Sequence, residues 1–78
     1  MSHFLVDGVL SDVRIDSGFV NSMHLSQYAR RVMVTGQDYN GNTFSTPLLF
    51  LPSTELLSAT YVLGQDWINL ARINAACE

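Results

Sequence analysis

Lysine is absent from this 78-residue chain, and charged residues of every kind make up only 14% of it. Four arginines face seven carboxylates, which gives a formal net charge of −3. Because proteins that bind nucleic acid usually present a basic surface, this balance argues against a nucleic-acid partner. Hydrophobic residues reach 47% of the chain, with few charges to keep copies apart. The composition therefore favours a chain that buries part of its surface in a partner.

Several other features are missing. Cys77 is the only cysteine, so no internal disulfide can form. A reducing compartment is the simpler inference, although an interchain bond stays open. No apolar run approaches the ~20 residues that span a bilayer, and the first residues lack the pattern of a secretory signal. We therefore expect a soluble, intracellular and most simply cytoplasmic protein, with no membrane partner.

No pattern indicates a metal or a cofactor, and we expect neither. His3, His24 and Cys77 do not occur at the spacing of metal ligands, and we interpret His24 as a strand-end or surface residue. Ser17 lacks the glycine-flanked elbow of a nucleophilic serine. No glycine-rich segment continues into the Gly-Lys-Ser/Thr of a phosphate-binding loop.

Short apolar stretches separated by turn residues predict one mostly β domain over residues 1–78. Asp7-Gly8, between apolar flanks, is a strong type I′ turn signal and predicts a hairpin over residues 4–15. Further strands are expected at 19–23, from 32 onward, at 43–51 and at 59–63. Within the strand at 43–51, residues 48–51 are expected to be buried on both faces. Pro47 is expected at an edge or a bulge.

Helical signals occur at two places. One turn is predicted over residues 27–31, with Ser26 as its cap. The stronger prediction is a helix over residues 65–73, near whose end Arg72 would favour the helix dipole. Asp66, at its head, is interpreted as an N-terminal cap or as the partner of an arginine. The apolar positions that share one face of this helix are Trp67, Ile68, Leu70, Ala71 and Ile73.

The tripeptide Asp16-Ser17-Gly18 follows an apolar, β-rich approach. A strand that ends in a carboxylate, a small hydroxyl and a glycine can deliver an acid onto a tight turn, where Gly18 adopts backbone angles that a Cβ resists. The hydroxyl of Ser17 can fix the loop by hydrogen bonding. The same three residues are also common in ordinary turns, so the tripeptide alone does not separate a site from a turn.

Two longer segments of the sequence carry more information than this tripeptide. Residues 16–31 begin with Asp-Ser-Gly, continue through polar residues and a bulky apolar residue, and end in two arginines. Residues 61–68 read Tyr-Val-Leu-Gly-Gln-Asp-Trp-Ile. In this order, the segments resemble the active-site signature and the C-terminal signature of retropepsins, the aspartic proteases of retroviruses and long-terminal-repeat retroelements.

The resemblance implies a small closed or partly open β-barrel of the retropepsin type with one short C-terminal α-helix. It implies an endopeptidase that acts as a symmetric homodimer on an extended polypeptide, with Asp16 as the catalytic residue of each copy. Ser17 and Gly18 would support the active-site loop. The turn-rich stretch 36–42, with Asn40-Gly41 as a second type I′ candidate, would form the flap through Gly36, Tyr39, Asn40 and Gly41.

The chain also departs from the family pattern. Phe19 stands where the family has alanine or serine, the segment between the two signatures is shortened, and only three residues precede Phe4. Two other interpretations therefore stay open. One is a non-catalytic relic of the fold that serves self-association or binds a protein strand, and the other is an unrelated small β-domain.

Overall fold

The computed structural model describes residues 4–77. Within them, seven strands form one sheet in the order β2-β1-β5-β6-β4-β7-β3, and one helix follows. The sheet curls into a half-barrel, so the expectation of a mostly β fold with one short C-terminal helix is confirmed. The elements are β1 (Leu5–Val6), β2 (Val9–Leu10), β3 (Val13–Ile15), β4 (Met23–Leu25), β5 (Arg30–Gln37), β6 (Thr43–Ser53), β7 (Tyr61–Leu63) and α1 (Gln65–Ala76).

The first hairpin turns as the sequence predicts. Asp7 and Gly8 both have positive φ, 52° and 80°, as a type I′ turn requires. Val6 pairs with Val9 across this turn. The hairpin ends earlier than expected, because the chain leaves the ladder after β2 and re-enters the sheet as β3 at its opposite edge.

The second hairpin, β5–β6, is the longest pairing in the sheet. Its loop is not the predicted type I′ turn, since Gly41 has a φ of 81° and Asn40 does not have positive φ. The Gly41 N–H donates to the Asp38 carbonyl at 3.1 Å, and the Asp38 N–H donates to the Asn42 carbonyl at 2.9 Å. This is a type I turn followed by a glycine bulge. The Asp38 carboxylate stabilises it by accepting the N–H groups of Asn40 and Asn42.

From Phe44 to Phe50, only one face of β6 is covered. Leu48 and Phe50 are buried, whereas Leu49 is 43% exposed, so the prediction of burial on both faces is wrong. Pro47 pairs with Met33, whose main-chain N–H and C=O both bond to Asp7 and not to β6. Pro47 therefore occupies a non-hydrogen-bonded position, and β4 pairs with β6 only from Leu51 onward. This is the local edge position that a proline in a strand requires.

Three smaller predictions are wrong. Residues 27–31 do not form a helical turn, because the last two of them begin β5. The Ser26 hydroxyl accepts the N–H of Tyr28 at 3.3 Å in a local turn instead. The strand expected over 19–23 begins only at Met23, and the strand expected over 59–63 begins only at Tyr61.

At the end of the sheet that holds β3, neighbouring strands come from distant parts of the sequence. β4 is parallel to β6 and antiparallel to β7, and β7 is parallel to β3. In the last pairing Val13 lies beside Tyr61 and Ile15 lies beside Leu63. The carboxyl ends of two parallel strands therefore lie side by side, one leading into Asp16 and the other into Gly64.

The helix covers the inner face of the curled sheet. Trp67, Ile68 and Ala71 are buried there as predicted, and the Trp67 ring meets Phe4 edge-on with 5.4 Å between centroids. Each large side chain buried in this way contributes ~1.5–3 kcal/mol. Ile73 does not join them, being 59% exposed. The helix runs three residues past its expected end, so Arg72 is not in its last turn, and no other base is. No helix within residues 4–77 is long and apolar enough to cross a bilayer.

Candidate active site at Asp16

Asp16 lies at the point where β3 ends and the loop begins, as the sequence predicts. Its main-chain N–H donates to the carbonyl of Leu63 at 2.9 Å, which ties the loop to the end of β7. Its carboxylate accepts the N–H of Gly18 at 2.9 Å, and its carbonyl accepts the N–H of Phe19 at 3.2 Å. These bonds set a half-buried carboxylate on a tight turn with its second oxygen available to other groups.

The reason for glycine at position 18 differs from the expected one. Gly18 is not in the left-handed region of φ. A Cβ at this position would lie 3.1 Å from Oδ1 of Asp16. The absence of a side chain at position 18 therefore leaves room for the carboxylate, and the turn itself does not require positive φ there.

The loop that follows Asp16 rests on the N-terminus of α1. The N–H groups of Gln65 and Asp66 donate to the carbonyls of Phe19 and Val20, at 2.8 and 3.3 Å. Helix-starting N–H groups lack partners within the helix, and the loop supplies them here. Gly64 allows this approach, because a Cβ there would lie only 2.6 Å from the Phe19 carbonyl oxygen.

Ser22 and Asp66 stabilise the contact between the loop and the helix by hydrogen bonds. The fully buried Ser22 donates its hydroxyl to Oδ1 of Asp66 at 2.8 Å and its N–H to Oδ2 at 3.0 Å. The same hydroxyl accepts the N–H of Gly64 at 3.2 Å. Asp66 also accepts the N–H of Trp67. It is therefore neither the N-cap residue, which is Gly64, nor the partner of an arginine, as the sequence had suggested.

The two signature segments also meet directly. The side-chain amide of Gln65 donates to the Ser17 carbonyl at 3.3 Å, across 48 positions of sequence. Ser17 is exposed, and within residues 4–77 its hydroxyl makes no hydrogen bond. The structure thus brings Asp16, Ser17 and Gly18 together with the C-terminal signature, and leaves the hydroxyl facing outward for other groups.

The residues predicted to form the flap belong to β5 and to the β5–β6 loop. Gly36 is in β5, where a Cβ would overlap the ring of Phe4. The loop that carries Tyr39, Asn40 and Gly41 rests on the C-terminal part of α1. Asn40 donates to the Ala75 carbonyl at 2.9 Å. Ten helical residues separate that contact from the Gln65 contact with Ser17, which corresponds to about 15 Å.

Two further interactions hold the β5–β6 loop to the helix. The side-chain amide of Asn74 donates to Oδ2 of the buried Asp38 at 2.6 Å, and Arg72 lies 5.9 Å from the ring centroid of Tyr39. Ser22, Asp38 and Asn74 were not among the residues predicted from the sequence. Asp38 carried a usable signal, since an aspartate shortly before Asn40-Gly41 favours a turn capped by its own carboxylate. Nothing in the sequence marked Ser22 or Asn74.

His24 is not the strand-end or surface residue that we expected. It is the middle residue of β4, only 8% exposed, and its ring is stacked on Tyr61 with 6.1 Å between centroids. Because β4 lies between β6 and β7, its central side chain is covered from both sides. Among residues 4–77, no group of three or more potential ligands is placed to hold a metal ion, and His3 lies outside this range. Cys77 is exposed and free.

Comparisons of the chain with protein-family models, with curated proteins and with solved structures find no significant match.

Proposed function

We propose that this chain is one half of an aspartic endopeptidase of the retropepsin type. Two copies would pair about a two-fold axis, each supplying Asp16, and would cleave an extended polypeptide. One observation carries the proposal: the two signature segments pack against each other, joined by the 2.9 Å bond from Asp16 to Leu63. Segments far apart in a chain need no such contact if each is an ordinary turn.

The chemistry requires the second copy. Two carboxylates held close together cannot both ionise without strong repulsion, so they share one proton. One then polarises the scissile carbonyl while the other takes a proton from the attacking water. The 78 residues carry one Asp-Ser-Gly, so in this proposal a second copy, related by a two-fold axis, supplies the other carboxylate.

The surroundings of Asp16 support this role. Ser17 and Gly18 are exposed and the carboxylate is half-buried, so a second copy can reach the turn. In the proposed dimer, the Ser17 hydroxyl bonds across the axis, and Gly18 leaves the carboxylate its space. The bonds from the loop to the N-terminus of α1 keep the turn rigid, as a catalytic group needs.

A second proposal is a non-catalytic domain that kept the fold for self-association or for binding a protein strand. The position of the β5–β6 loop favours it. That loop is fixed to the far end of α1 by Asn40 and Asn74, about 15 Å from the contact between Gln65 and Ser17. It therefore does not cover Asp16 in the single chain, as a flap over bound substrate would.

The substitution Asp16→Asn tests both proposals. Asparagine keeps the shape of the side chain but cannot carry the shared proton, so peptide cleavage should be abolished and the dimer kept. The variant dimer should also melt at a higher temperature than the wild type, because two ionised carboxylates repel. This gain should be larger at neutral pH than at acidic pH, where a proton already lies between the wild-type pair.

The measurements are thermal melts from pH 4 to 8, a peptide-cleavage assay and light scattering. Asp12→Asn is the matched control: it removes the same charge from an exposed position just before β3 and should change none of the three. A stable monomer at high concentration would remove the protease proposal. A pH-dependent gain without wild-type cleavage would favour the non-catalytic domain. The absence of any pH-dependent difference would mean that the two Asp16 residues do not meet.

A further inference from the structure

A cavity of about 440 Å³ lies away from the Asp16 turn, between β4, β7 and the segment that leads into β5. None of the residues discussed at the Asp16 turn lines it. The residues that line it include aromatic, cationic and hydroxyl-bearing ones, namely His24, Tyr28, Tyr61, Arg30, Ser26 and Thr60. Such a mixture of aromatic surface with a few convergent polar groups is typical of a site for a small organic ligand.

The buried His24 presents an unused acceptor. Its Nε2 lies 3.0 Å from the Tyr28 carbonyl oxygen, which can only accept, so Nε2 carries the proton. In the neutral ring, Nδ1 therefore has a free lone pair. Within residues 4–77, the hydrogen bond through Nε2 is the one that the His24 ring makes. A ligand with an N–H or O–H group would pair with it.

Arg30 brings positive charge to the same cavity. Its only ion pair within the described chain is a single 3.4 Å contact from Nη2 to Asp7. Oδ1 of that carboxylate is already engaged by the N–H of Met33. Because a guanidinium has five N–H donors, most of those on Arg30 stay available to an anion. A carboxylate is the anion that matches this planar fork.

Part of the remaining surface is apolar. Leu25 and Tyr28 are 59% and 75% exposed at the cavity. Tyr61 adds an aromatic wall, already parallel to the His24 ring within 4°. Large apolar groups left in contact with water at a concave surface favour a ligand that covers them.

We propose that this cavity binds a carboxylate borne on an aromatic or branched aliphatic group with a neighbouring N–H donor. The carboxylate pairs with Arg30, the N–H donates to Nδ1 of His24, and the apolar group covers Leu25 and Tyr28. This chemistry belongs to the C-terminal residue of a polypeptide and equally to a free N-acylated apolar amino acid. The site is independent of Asp16 and does not require the protease.

The experiment is an NMR titration of the full chain with N-acetyl-phenylalanine, followed through amide and imidazole signals. A dissociation constant on the order of 1 mM is expected for a ligand of this size. Saturable shifts should centre on residues 24–30, Thr60 and Tyr61. The uncharged carboxamide of the same compound should bind roughly tenfold more weakly, because it cannot form the charge-assisted bond. A peptide that ends in phenylalanine separates the two sources by binding more tightly if a polypeptide terminus is preferred.

Two neighbouring arginines give a matched pair of variants. Arg30→Gln should weaken binding of the carboxylate roughly tenfold. Arg31→Gln removes the same charge from a residue that pairs with the exposed Leu49, on the opposite face of β5, and should leave binding unchanged. Arg30→Lys keeps the charge but loses the planar fork. Its affinity for the carboxylate should lie between those of Arg30→Gln and Arg31→Gln.

Three results would overturn the proposal. They are the absence of saturable shifts at the cavity up to about 20 mM ligand, equal binding of the carboxylate and its carboxamide, and equal losses in Arg30→Gln and Arg31→Gln. The amide spectrum of each variant reports whether it is folded, so a misfolded variant is not mistaken for a loss of affinity.

Discussion

Glycine is required at positions 41 and 64 for two different reasons. Gly41 has a φ of 81°, and a Cβ there would meet no atom within 4 Å. Its requirement is therefore purely conformational. Gly64 has an ordinary φ of −98°, but a Cβ would lie 2.6 Å from the Phe19 carbonyl oxygen and 2.8 Å from that of Asn21. The requirement at position 64 is therefore purely steric. Gly64 lies in the contact between the Asp16 loop and the N-terminus of α1, which we call the joint.

These two glycines should respond differently to substitution. At position 41, valine should lower the free energy of unfolding by about 2 kcal/mol, whereas asparagine, which tolerates left-handed φ, should lower it by much less. At position 64, alanine should already cost ~1–3 kcal/mol, because backbone atoms must move apart. Urea denaturation of the three variants measures these differences. If Gly64→Ala is as stable as the wild type, the loop does not rest on the helix as closely as described.

At the residue scale, the sequence predicts backbone geometry where local chemistry alone decides it. Asp7-Gly8 forms the expected type I′ turn because only two residues connect its strands. Asn40-Gly41 carries the same signal, yet the Asp38 carboxylate accepts the N–H groups of Asn40 and Asn42 and selects a longer type I loop. Gly18 was predicted to adopt backbone angles that a Cβ resists, but it does not have positive φ; the visible reason for a small residue there is the Asp16 carboxylate, 3.1 Å from the position of a Cβ. That reason depends on where the Asp16 carboxylate points, which no local pattern encodes.

At the element scale, the joint between the Asp16 loop and α1 depends on one polar pair. The buried Ser22 hydroxyl donates to Asp66 and accepts from Gly64, so it satisfies groups on both sides of the contact. A buried partner left unsatisfied costs ~1–3 kcal/mol. The joint is therefore sensitive to the loss of either member.

Ser22→Ala and Asp66→Asn should each destabilise the fold by ~1–3 kcal/mol. The double variant should lose less than the sum, because each single change already breaks the shared bonds. The measurement is a double-mutant cycle by chemical denaturation. Ser26→Ala is the control, since its hydroxyl serves only the N–H of Tyr28 in a local turn, at 3.3 Å, and its loss should cost much less. If the losses in free energy of unfolding for Ser22→Ala and Asp66→Asn are strictly additive, the two residues do not act together in the joint.

The elements that sequence predicts are those whose signal is local. β6 and α1 appear at nearly their expected positions, because apolar periodicity sets them. The parallel pairing of β3 with β7 and the burial of His24 could not be predicted. Both follow from β4 and β7 sitting between strands that are distant in sequence. Both the retropepsin type of the barrel and the pairing of two copies stay predictions.

At the scale of the whole molecule, the proposed dimer can be tested through exposed apolar side chains. Val20 is 75% exposed in the loop that follows Asp16, while Leu56 is 91% exposed in the segment between β6 and β7. If two copies pair through their Asp16 turns, Val20 enters the interface. A charge at that position would then have to be buried without a partner.

We expect a two-fold dimer at micromolar concentration, as judged by light scattering. Val20→Glu should dissociate it into monomers, whereas Leu56→Glu, an equal change of charge on a more exposed residue, should not. Both side chains are exposed, so neither substitution should cost more than about 0.5 kcal/mol of folding stability. Dissociation by Leu56→Glu alone would place the interface on another surface and would separate the dimer from Asp16.

The 48 positions between Ser17 and Gln65 also bear on when the site forms. The β5–β6 hairpin joins neighbouring parts of the chain through a short loop, and such hairpins close within ~1–10 μs. The pairing of β3 with β7 must instead close most of the chain into one loop, with a correspondingly larger loss of entropy. The bonds of the Asp16 loop to β7 and α1 are thus expected to form after the β5–β6 hairpin. A fragment that stops before Tyr61 keeps the local bonds of Asp16 with Gly18 and Phe19. It lacks the bond to Leu63 and every contact with α1, so the turn has its support only once residues 61–66 have been made.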